Sequence, residues 1–151
     1  MGPFDMMQIS ASALTAERQR SEVIATNMAN ANTTHTDAGG PFQRKEVVFS
    51  AQHASAFQLQ FAEMTTMPHT KDRMAGSVRL SQVVSDPSAP IMRYEPGHPD
   101  ANKQGYVAYP AINPVQEMVD LMGSVRAYQL NASAVTASKQ MIQQSIDILK
   151  S

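Results

Sequence analysis

At 151 residues the chain has the length of one ordinary domain, and its 12 Lys+Arg against 13 Asp+Glu leave a net charge of −1, so no basic face argues for a nucleic-acid or anionic-membrane partner. The absence of cysteine excludes disulfides, thiolate zinc sites and a cysteine nucleophile. Aromatics reach only 6%, with no Trp, whereas Met occurs 11 times; that unbranched side chain fits irregular packing, in a core or between repeated subunits.

The first predicted element is a helix over residues 5–32. Asp5 is the expected N-cap, with Gln8 completing a capping box and Phe4 stapling onto Ile9. Its apolar stripe (Met7, Ala11, Leu14, Ser21, Ile24, Ala25, Met28) is thin and rich in small residues, which favours close approach of a partner helix. Asn27, Asn30 and Asn32 weaken the helix, and residues 33–40 form a breaker-rich loop. No basic stretch, apolar run and cleavage site opens the chain, so any export is expected to use a route that reads no cleavable signal.

The middle, residues 33–112, changes period. Strands are predicted at 42–50, at 56–63 with Phe57, Leu59 and Phe61 on one side, at 77–84, and at Ile91–Tyr94 and Tyr106–Tyr109. A loop is predicted at 64–74, and Asp86-Pro87, Ala89-Pro90 and Pro96-Gly97-His98-Pro99 read as turns. Arg44-Lys45 beside Glu46 reads as a solvated strand face.

The last element, residues 113–149, carries the clearest pattern. Asn113 is an N-cap candidate, Pro114 suits the first helical position, Gln116 completes a box and Glu117 complements the positive end of the dipole. From Met118 a 3-4 repeat runs through Leu121, Val125, Tyr128, Ala132, Val135, Lys139, Ile142, Ile146 and Leu149, a coiled-coil period broken only by Lys139. That lysine either snorkels its charge outward or pairs with an acidic group on a neighbour and fixes register. The eight large members of the seam could contribute on the order of 12–24 kcal/mol if fully buried, so a wet seam is costly. A helix of about 35 residues is roughly 50 Å long. The first helix can cover part of it, and other chains are expected to cover the rest. The architecture expected is α+β: long N- and C-terminal helices (1–32 and 113–151) forming a coiled-coil-like pair, with a small β-rich insert (33–112) between them.

No active-site constellation emerges. The histidines (His35, His53, His69, His98) form no i,i+4 pair, no serine sits in a G-x-S-x-G elbow, and Gly39-Gly40 lacks the lysine of a phosphate loop. His98-Pro99-Asp100, with His69, leaves a small metal-dependent hydrolase as the rival from another class; the plainer reading is a solvated turn. A generic helical adaptor is the rival within the structural class.

These stretches carry a resemblance. Residues 12–16 (SALTA) and 23–33 (VIATNMANANT) resemble the N-terminal signature of bacterial flagellar rod and hook axial proteins. Residues 40–49 (GPFQRKEVVF), 94–101 (YEPGHPDA), 105–107 (GYV), 117–122 (EMVDLM) and 126–131 (RAYQLN) are similar to proximal-rod members of that family, although residues 51–75 form a longer stretch than its pattern suggests. The resemblance implies a non-enzymatic subunit of the periplasm-crossing rod, without cofactor, metal, nucleic acid or small-molecule substrate. It implies export through the flagellar type III apparatus and, as partners, other proximal and distal rod proteins, copies of itself and the adaptor at the basal-body ring. The subunit-interface residues expected are Leu14, Ile24, Asn27, Met28 and Asn30 in the first helix. In the last they are Met118, Leu121, Val125, Tyr128, Asn131, Val135, Ile142, Ile146 and Leu149.

Overall fold

A computed structural model describes residues 2–52 and 77–150. The chain runs α1 (Pro3–Ala29), β1 (Lys45–Gln52), β2 (Ser77–Ser85), β3 (Ile91–Tyr94), β4 (Tyr106–Tyr109) and α2 (Pro114–Lys150). This is the expected α+β layout of two long helices around a small β insert. The strand expected at 56–63, the loop expected at 64–74, and His53 and His69 lie outside the described residues.

Helix α1 starts earlier than the capping pattern suggested. Asp5 is not the N-cap: it lies within the first turn and accepts the Gly2 N–H at 2.8 Å, while the Gly2 carbonyl accepts the Met6 N–H at 3.2 Å. Gly2, Pro3 and Asp5 thus occupy cap, first and third helical positions, where a fixed φ and a carboxylate each favour initiation. At the other end the Asn30 backbone N–H and side-chain amide both donate to the Thr26 carbonyl, at 3.1 and 2.9 Å, closing the last turn. Helix α2 is capped as expected, the Asn113 side chain accepting the Val115 N–H at 3.0 Å. Gln116 does not reach back to complete a box; its amide lies 3.5 Å from the Asp120 carboxylate.

Strand β1 pairs with β2, and β3 pairs with β4 antiparallel in the register Ile91↔Tyr109 to Tyr94↔Tyr106. Gly105, at φ +81°, turns the chain into β4, and the Tyr94 ring stands 2.9 Å from where a Cβ would project, so only glycine fits there.

The residues gather into two compact units. One comprises Met1–Gln19, Phe49–Ser81 and Val125–Ser151; the other Arg20–Val48 and Gln82–Ser124. In the first, the Ser12 hydroxyl ties α1 to β2 by accepting the Val78 N–H at 3.0 Å. In the second, Val107, Ile112, Ile24 and Ala31 are buried beside Asn27, Glu117 and Ser124. Large apolar side chains are scarce in this core, because so many of those on α2 point elsewhere.

Candidate subunit interface

The face of α2 that this chain buries is not the apolar seam. Glu117, Ser124 and Ser138 are its buried residues, and Asp120, Ala127, Asn131 and Ala134 between them are half-buried. This line repeats with the same 3-4 spacing as the seam but lies one residue earlier, about 100° around the helix. Its members are small or polar. In the second unit it faces α1, where the Ser21 and Ser124 hydroxyls hydrogen-bond and the Asn27 amide reaches Glu117. Small side chains let two backbones approach closely, whereas the apolar seam would hold them apart. Helix α1 shifts likewise: Ser10, Ala16, Ile24 and Asn27 are its buried residues, and Ala11 and Ala25 of the expected stripe are exposed.

The seam is consequently left largely bare. Met118 is 53% exposed and Leu149 86%, and Val125, Tyr128 and Ile146 are also exposed. Leu121, Val135 and Ile142 are half-buried, each sharing the margin between seam and buried line. Asn131 is half-buried and turns its amide onto the Ala127 carbonyl of its own helix. On α1, Leu14, Met28 and Asn30 are half-buried, whereas Ile24 and Asn27 are taken up inside the chain. A second apolar patch escaped the heptad reading: Val115, Val119 and Met122 are exposed beside Met118 at i, i+4 and i+7 spacing. They fall outside a single 3-4 line, so a search for one seam passes over them.

A charged cluster was also missed. Glu117 does more than complement a helix dipole: it is 1% exposed, and its carboxylate accepts Arg44 Nε at 2.7 Å and Asn27 Nδ2 at 3.1 Å. Arg44 is correspondingly not on a solvated face. Its guanidinium also pairs with Glu46 and lies 3.9 Å from Asp120, and the hydrogen bond to Glu117 raises its pKa above the ordinary arginine value. Asn27, also 1% exposed, pairs with the Lys45 backbone in both directions at 2.9 Å, as a neighbouring strand would. Nothing local in the sequence joins residues 27, 44 and 117.

The groups with ionisable or concave character serve structure. His98 Nδ1 accepts the Asp100 N–H at 3.1 Å, and the Asp100 carboxylate accepts the Thr34 hydroxyl at 2.6 Å, so both groups are engaged in holding a turn. Tyr109 donates to Glu95 at 2.9 Å, which raises the phenol's pKa. A cleft bounded by Pro41, Phe42, Asp86, Pro90 and Pro110 has a volume of about 120 Å³, smaller than the roughly 300–1,000 Å³ of small-molecule sites.

Two family profiles match the chain: one described as "Flagella basal body rod protein" over residues 7–34, the other as "Flagellar basal body rod FlgEFG protein C-terminal" over residues 103–148. The chain is 35% identical over 154 residues to the flagellar basal-body rod protein FlgC of Bacillus subtilis, spanning 99% of this chain and 100% of that one. It is 34% identical over 155 residues to FlgC of Borreliella burgdorferi, spanning 99% of each. The chain belongs to the FlgC family of flagellar basal-body rod proteins. FlgC of Escherichia coli is 31% identical over 148 residues, 98% of each chain. The FlgC family is structural and not enzymatic, which sets aside the hydrolase reading of His98 and Asp100.

Proposed function

We infer that this chain, a structural subunit of the flagellar basal-body rod by its family, joins the rod through the apolar faces that it cannot cover alone. The carrying observation is the division of α2 into a small, polar line buried within the chain and an apolar seam from Met118 to Leu149 left facing outward. Burying a large apolar side chain is worth about 1.5–3 kcal/mol, so several together supply a strong drive for association. The exposed patch at Val115, Val119 and Met122 extends that drive to a second side of the helix. Contacts of one subunit's seam with the next, repeated head to tail without closing, generate a helical tube. Many near-parallel interhelical contacts then transmit torque without chemistry. Partners are copies of this chain, the other proximal and distal rod proteins and the basal-body ring adaptor, reached after export through the type III apparatus across the periplasm.

The test is removal of residues 137–151, which carry Ile142, Ile146 and Leu149. Basal bodies isolated from a strain producing only the shortened chain should lack it, and the cells should not swim. Normal incorporation would contradict the reading and favour a freely acting adaptor.

A further inference from the structure

We propose that the Asn27–Arg44–Glu117 cluster selects the register in which α1 and α2 pair, and is retained for that specificity, not for net stability. Two observations make a selector necessary. Beyond Glu117 the facing line of α2 is built from small or polar residues, Ser124 among them, and such a surface offers no large apolar knob that only one hole accepts. A one-residue slip would shift α2 by about 1.5 Å and turn its seam by about 100°. The Ser21–Ser124 hydrogen bond resists this weakly, because helical serines readily bond to a carbonyl one turn back, as Ser138 does to Ala134.

The cluster discriminates strongly. Glu117 is almost wholly buried and finds its two donors on different elements, Asn27 on α1 and Arg44 just before β1. Asn27 is itself fixed by both backbone groups of Lys45, so its amide cannot follow a slipping Glu117. Arg44 is held further by Glu46 and by its own carbonyl, which accepts the Asp86 N–H at 2.7 Å. In a slipped register Glu117 turns away from these donors, and the buried Asn27 amide and the held Arg44 guanidinium lose the carboxylate that receives them, which is penalised. A well-packed apolar replacement of such a pair commonly preserves stability, so what the charged form adds is intolerance of misalignment. The consequence for assembly rests on the interface reading above, since register decides where the seam points; the register claim itself does not.

The full-length chain, free of native cysteine, is suited to spin labelling. Nitroxides on Ala25→Cys in α1 and Gly123→Cys in α2 would report the pairing in dilute monomer; Ala25 is exposed, and Gly123 has open space where a Cβ would stand. With the cluster intact, pulsed dipolar EPR should give one narrow distance distribution. In Arg44→Met/Glu117→Met, helical circular dichroism and melting temperature should be kept while the distribution broadens or splits. Arg44→Lys, which keeps the charge but loses the planar fork, should broaden it less, and serves if the double variant fails to fold. A wild-type distribution in either folded variant overturns the proposal. A scrambled register in a strain that still swims would leave the selector standing and count against the interface reading, so the two fail separately.

Discussion

At Glu117 the two partners of one ion pair should respond unequally to truncation. Arg44→Ala leaves a carboxylate buried with only Asn27 to serve it, and should cost about 3–5 kcal/mol in urea denaturation. Glu117→Ala should cost distinctly less, because the partly exposed Arg44 keeps Glu46 and Asp120. Equal losses would mean that Glu117 is better solvated than its burial implies. Tyr109 offers a second check. Its hydrogen bond to Glu95 raises its pKa, so the folded chain holds that proton to higher pH than the unfolded one. The stabilisation is therefore fully present below the ordinary tyrosine range and is lost as pH rises through the folded value. Absorbance titration should show Tyr109 ionising late, and Glu95→Gln should bring it back toward the ordinary tyrosine range.

Among the elements, the two helices differ in what holds them and what they leave over. Val125 is exposed on α2, so Val125→Asp should alter monomer stability by no more than about 0.5 kcal/mol while preventing incorporation into the rod. A destabilised monomer would mean that the seam is already covered within the chain. Both helices and the strands at Ile91–Tyr94 and Tyr106–Tyr109 were legible in the sequence, because caps, prolines and glycines mark element ends locally. The apolar spacing of α2 was legible too, but its orientation was not. Hydrophobic periodicity ranks faces by greasiness, and in this helix the face turned to α1 is the small, polar one carrying Glu117 and Ser124. The Arg44–Glu117 pair was hidden for a different reason: the residues are 73 positions apart, and each alone has an ordinary surface explanation.

For the molecule as a whole, the described residues bury few large apolar side chains and expose many. A lone subunit built this way is under-covered, and its ends should exchange amide hydrogens freely until neighbours arrive. Full protection of both helices in dilute monomer would contradict that. The most direct measurement of the central claim uses the cysteine-free background. A single cysteine placed at Val125 or Ile146 should react rapidly with a maleimide in the free subunit and be protected in purified basal bodies, read by mass spectrometry of this subunit's peptides. Equal labelling in both states would show that the seam stays in water after assembly, and the account would fail.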